Sequence, residues 1–74
     1  EARGVQCHLA TESIRVERKQ FYFDLGENPQ GRFLKITEDV NGRRDAIIIP
    51  ATGLEEFRTA LDMIIARRGH SLGA

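Results

Sequence analysis

The grouping best equipped for chemistry is Arg32-Phe33-Leu34-Lys35, which sets a guanidinium, an aromatic ring and an ammonium within four positions. Single-stranded nucleic acid is held by such groups: ring faces stack on unpaired bases, while Arg, Lys and amide side chains reach phosphates and base edges. Taken alone, the run more readily describes an aromatic packed in a sheet between solvated charges. Catalytic groupings are poorer. Cys7 and His8 are adjacent, so in a strand they point to opposite faces and cannot form a thiolate–imidazole pair. They read as a small buried thiol beside a surface imidazole. His70 falls in a terminal tail, and Asp24, Glu27, Glu38 and Asp39 are scattered near turns, where acids are ordinarily solvated. Gly26 and Gly31 flank Pro29 instead of preceding a helix, so they make no phosphate cradle. No Cys/His set has zinc spacing. The expectation is a binding module rather than an enzyme, with neither metal nor cofactor.

The elements that must position these residues follow from periodicity. Lys19, Phe21, Phe23 and Leu25 alternate with Gln20, Tyr22 and Asp24, and Leu34, Ile36 and Glu38 alternate with Phe33, Lys35 and Thr37. Both stretches have the two-residue period of strands. Asn28-Pro29-Gln30-Gly31 between them suits a type I turn. Asn41-Gly42 is a strong hairpin signal, because both residues tolerate positive φ. It leads into Arg44 to Pro50, whose Ile47-Ile48-Ile49 centre is β-branched. A weaker strand covers His8 to Val16, and the turn after it, at Glu17-Arg18, lacks Gly, Pro or Asn.

The period then changes. Leu54, Phe57, Leu61, Ile64 and Ile65 form one apolar helix stripe. Thr52 and Glu55 have capping-box spacing, and Gly69 after Arg67-Arg68 predicts the helix stop. The fold class expected is α+β: a four-stranded antiparallel sheet followed by one helix, with a core over about 8–69 and a frayed tail at 70–74. One helix covers one sheet face. The other face, carrying Tyr22, Phe33, Lys35, Thr37 and Ile48, is left open as a binding platform or half of a dimer interface.

Composition narrows the class further. Seventy-four residues make one small domain, which buries only ~60% of its unfolded surface. A single cysteine excludes an intramolecular disulfide, leaving oligomerisation as the route to stability. Eleven basic residues balance eleven acidic ones, which argues against a strongly basic duplex binder but not against single-strand binding. Nine of the basic residues are Arg, leaving Lys19 and Lys35. The apolar run Ala46 to Ala51 is too short to cross a membrane, and no signal peptide is visible. A soluble, intracellular, self-associating module is expected. The chain opens on Glu1, as a segment of a longer protein would.

With these motifs in view, the chain resembles the Pur repeat of the purine-rich element-binding Pur-alpha, Pur-beta and Pur-gamma proteins. The resemblance rests on Lys19-Gln20-Phe21-Tyr22-Phe23-Asp24-Leu25, the Asn28 turn, Gly31-Arg32-Phe33-Leu34-Lys35-Ile36, and the later Ile48-Ile49-Pro50 followed by Glu56-Phe57-Arg58. It covers residues 9–68. It implies a Whirly-like β-β-β-β-α repeat, two of which interlock with crossing helices, so that 1–74 would be one repeat pairing with a second copy or with another repeat. It also implies binding of single-stranded, purine-rich DNA or RNA in transcription or RNA regulation, with a nuclear or cytoplasmic location. Asn28 matches a turn asparagine that contacts bases, and Phe33 a phenylalanine that stacks between them. Lys35, Arg32, Lys19, Arg15 and Tyr22 would support them. The pairing interface would draw on Ile47, Ile49, Phe57, Leu61, Ile64 and Ile65. Gly26 stands where the best-binding repeats carry a turn lysine, and Gln30 where they carry a basic residue. Both departures move the chain towards the repeat that mainly dimerises, so a dimerisation repeat of weak affinity is the alternative. A protein-recognition sheet is a third reading.

Overall fold

The computed structural model describes residues 7–73, with the side chains of Cys7 and of 69–73 excepted. The Cys7 thiol and the His70 imidazole considered above therefore lie outside it. Four strands, β1 (Cys7–Val16), β2 (Lys19–Asn28), β3 (Gly31–Val40) and β4 (Arg43–Pro50), form one antiparallel meander in the order β1-β2-β3-β4. A short 3-10 turn (Ala51–Gly53) then leads directly into the helix α1 (Leu54–Gly73). The expected architecture is present, with strands one to three residues longer than the alternation alone marks.

Each turn has a physical cause. Asn41 and Gly42 adopt φ of 55° and 86°, the paired left-handed values of a type I′ hairpin, whose twist matches that of the strands it joins. Asp39 reinforces this turn, its Oδ1 accepting the Gly42 N–H at 3.0 Å. At the β2–β3 end, Asn28 pairs with Gly31. Asn28 Oδ1 accepts the Gln30 N–H at 2.9 Å, and Gly31 takes φ 130°, a value side chains rarely tolerate. The β1–β2 connection is less comfortable. Glu17 holds φ 57° where glycine or asparagine would be at ease.

The register separates two faces. Partners across the ladder, Ser13–Tyr22–Thr37–Ala46 and Thr11–Asp24–Lys35–Ile48, lie on one face with Arg15, Phe33 and Arg44. Ile14–Phe21 and Leu25–Leu34–Ile49 lie on the other, with Val16, Phe23, Ile36 and Ile47. The one bulge, at Leu9 in β1, comes before these positions and leaves the faces in phase from Ala10 onward.

Three expectations fail. The helix does not cover a sheet face: α1 meets the 51–53 turn and makes no more than marginal contact with any strand. A three-residue connection is too short to carry the chain back across the sheet, so the helix projects. The dimensions are 56 × 30 × 16 Å and the radius of gyration 15.3 Å, against about 11 Å for a compact domain of this length. Second, the helix does not stop at Gly69 but runs to Gly73. One interior glycine costs only ~1 kcal/mol and no proline follows it. Third, Thr52 does not cap α1 but lies within the 3-10 turn.

The accessible surface is 6158 Å², whereas a compact monomer of 8.4 kDa exposes about 4,600 Å². Large apolar side chains contribute to the excess. Ile14, Val16 and Ile47 on the sheet, and Phe57, Leu61, Met63, Ile64 and Ile65 on the helix, are all exposed.

Candidate functional site

The open polar face is organised by contacts that close within one chain. Near its Asn41-Gly42 end, Asp39 Oδ2 accepts from Arg44 Nε at 2.9 Å. The Arg44 guanidinium then lies over the Tyr22 ring, 5.6 Å from its centre. Asp39 and Tyr22 thus hold a planar cation in one orientation, a geometry favoured by cation–π attraction. Arg44 did not stand out in the sequence. Its signal was present all the same: it lies two residues beyond a hairpin turn, and its register sets it diagonally across β3 from Tyr22.

Across β1 and β2, Thr11 Oγ1–H donates to Asp24 Oδ1 at 2.9 Å. That uses the one hydroxyl hydrogen of Thr11, so its contact with His8 Nε2 is donated by the imidazole. His8 Nε2 also lies 3.4 Å from Asp24 Oδ1. The three groups staple β1 to β2. They are not arranged for nucleophilic catalysis, because the hydroxyl hydrogen goes to the carboxylate and not to the imidazole. Among the described residues no group of three or more His, Cys, Asp or Glu is placed to hold a metal ion.

The other end of this face is built around the Asn28 turn. Asn28, Arg32, Phe33, Ile48 and Pro50 surround a shallow pocket of about 170 Å³. Asn28 Oδ1 accepts the Gln30 N–H and keeps a second lone pair, while its amide nitrogen brings two N–H donors. Arg32 adds a further donor group, restrained loosely by Glu27 at 4.0 Å. Phe33 is 8% exposed, the one buried apolar residue among those described. Its ladder partners are Gly26 on β2 and Pro50 on β4. Gly26 brings no side chain to that spot and is itself buried, and the 51–53 turn packs against β3. The ring is therefore mostly covered within this chain.

The sequence-based site residues are brought together only in part. Tyr22, Phe33, Lys35 and Arg15 share the polar face, with Lys35 exposed near its middle and Arg15 at the Glu17 end beside Gln20. Asn28 and Arg32 rim the pocket. Lys19 lies on the opposite face, where its Nζ meets Glu38 Oε2 at 3.0 Å, so it joins neither group. Of the residues expected at a pairing interface, Ile47 and Ile49 occupy the apolar sheet face, and Phe57, Leu61, Ile64 and Ile65 line the projecting helix exposed. No helix among the described residues is long and apolar enough to cross a membrane.

Residues 1–73 match the family model of the PurA ssDNA and RNA-binding protein. The chain is 41% identical over 64 residues to transcription factor Pur-alpha 1 of Arabidopsis thaliana, covering 86% of this chain and 22% of that protein. It is 43% identical over 66 residues to transcriptional activator plp-1 of Caenorhabditis elegans, covering 86% and 29%. With human transcriptional activator protein Pur-alpha the identity is 41% over 64 residues, covering 77% and 20%. The chain thus spans less than a third of the length of these relatives.

Proposed function

We propose that this chain, which belongs to the PurA family of single-stranded DNA- and RNA-binding proteins, works as one repeat of a paired domain that binds single-stranded, purine-rich DNA or RNA. The observation that carries the reading is the division of the sheet into two unlike faces. One presents Lys35, Tyr22 with Arg44, and the Asn28 turn at its end. These are groups that reach phosphates, stack on bases and donate to base edges. The other face is apolar and half-buried, with Ile14, Val16 and Ile47 exposed, and the helix stripe is exposed too.

Pairing follows from that second face. The surface in excess of a compact monomer, about 1,500 Å² by the mass scaling, is within the share one partner contributes to an obligate interface. A second copy would lay its helix stripe over the Ile47–Ile49 face and receive the reciprocal contact, an isologous arrangement. The names of the relatives, transcription factors and activators among them, support a role in transcription or RNA regulation and an intracellular site of action.

A titration of purine-rich against pyrimidine-rich single strands at moderate salt tests the binding. Purine-rich strands should bind more tightly, and equal, weak binding of both would sink the purine assignment. Sedimentation at micromolar concentration should give twice 8.4 kDa. A folded, non-associating monomer would defeat the pairing.

One observation favours a second reading, a dimerisation repeat with weak affinity of its own. Positions 26 and 30, beside the Asn28 turn, carry Gly and Gln, so no positive charge stands at either place. In that case pairing would be intact while both titrations stay weak.

A further inference from the structure

Resting on the nucleic-acid-binding reading above, we infer that Ile48 is the apolar wall against which one unstacked base packs, with Phe33 as the buried floor of that pocket. With Phe33 only 8% exposed, its ring face is not offered to a ligand at this place. What the surface offers is Ile48, 56% exposed. Leu9 in the bulge apart, it is the one large aliphatic side chain that the described register sets on the polar face. Its ladder partner is Lys35, and the pocket it lines is closed by Pro50 and rimmed by Asn28 and Arg32.

The chemistry of this lining selects its occupant. Ile48 and Pro50 suit a flat, weakly hydrated surface, and aliphatic wedges at base steps are a recurrent device of nucleic-acid binders. The side-chain amides of Asn28 and Gln30, beside Arg32 in the lining, carry both donors and acceptors, which suits the polar edge of a base. Lys35, across the ladder from Ile48, is placed for the phosphate of the same nucleotide. A purely apolar ligand would leave this polar rim without partners. At about 170 Å³ the shallow pocket is on the scale of a single base.

Ile48→Thr tests the assignment, because threonine keeps the β-branch and removes the aliphatic arm. Binding is measured on the chain as it assembles, using a purine-rich single strand that carries a fluorescent adenine analogue. Affinity should fall about tenfold, with the salt dependence unchanged, and the change in the analogue's emission on binding should shrink. Lys35→Gln, run in parallel, should weaken binding and flatten the salt dependence. If Lys35→Gln weakens binding and Ile48→Thr does not, the Ile48 wall is wrong while the nucleic-acid reading survives. A wild-type chain that is folded and does not bind overturns both. Should Ile48→Thr lower the melting temperature, Ile48→Phe replaces it: a larger face should tighten binding about threefold, and no gain overturns the assignment.

Discussion

The polar and apolar faces of one sheet differ in how much of their stabilisation a single chain supplies. On the polar face the groups close on one another: His8 and Thr11 with Asp24, Arg44 with Asp39 and Tyr22, Asn28 with its own turn. On the apolar face, Ile14, Val16 and Ile47 stay exposed, and the helix that would cover them projects away with its own stripe exposed. A network of polar contacts is therefore assembled within one chain, whereas a hydrophobic core is not. Hydrogen bonds and ion pairs on a sheet surface need only neighbours a strand apart. Burial needs a second layer, and the three-residue connection after β4 denies this sheet its own helix.

The largest expected effect breaks the apolar side of that contrast. Ile64 is 61% exposed, so in an isolated chain Ile64→Asp should alter stability by no more than ~0.5 kcal/mol. In a paired domain it puts an unpaired charge in the interface, costing more than ~4 kcal/mol. Sedimentation and melting should show loss of the paired species and of cooperative unfolding; an unchanged melt would return the helix to solvent. Phe33→Ala comes next. Removing a buried ring should cost ~3–5 kcal/mol of folding stability, read as a large fall in melting temperature. If stability holds and only binding drops, by the ~1–3 kcal/mol of a stacked base, Phe33 is a stacking residue after all.

Smaller effects sharpen the polar side. Gln30→Arg adds one positive charge beside the Asn28 turn in each chain. Affinity should rise, and the slope of log K against log salt should steepen by ~0.7 for each phosphate newly neutralised. A well-folded variant with unchanged slope would put this turn off the strand's path and favour the dimerisation repeat. Gly26→Lys is a poorer test of the same idea. Gly26 is free of positive φ, but the new side chain would enter the buried position across the ladder from Phe33. The smallest effect concerns neither face: Glu17→Gly should relieve the left-handed residue at the β1–β2 turn. A gain of ~0.5–1 kcal/mol in the melt, without change in binding or assembly, is expected.

Much of this molecule was legible in its sequence because the signals are local. Period-two alternation marked the strands and sorted Tyr22, Phe33, Lys35 and Thr37 from Phe21, Phe23, Leu34 and Ile36. Asn41-Gly42 marked a turn whose dihedrals only such residues hold comfortably, and the apolar stripe from Leu54 marked the helix. Those determinations depend on neighbours a few positions apart, and the fold class followed from their order. Burial does not. An aromatic on an open face reads as exposed, yet Phe33 is covered because its ladder partners are Gly26 and Pro50 and the next turn folds against β3. Arg44 became a partner of Tyr22 through the register and the carboxylate of Asp39, and Lys19 was drawn to Glu38 on the far face. Where the helix goes was equally beyond the pattern: an amphipathic stripe specifies that something must cover it, not which surface does. Sequence periodicity determined what each segment is; only the three-dimensional path decided which side chains meet, because contacts between segments depend on connection length and strand register as well as on residue type.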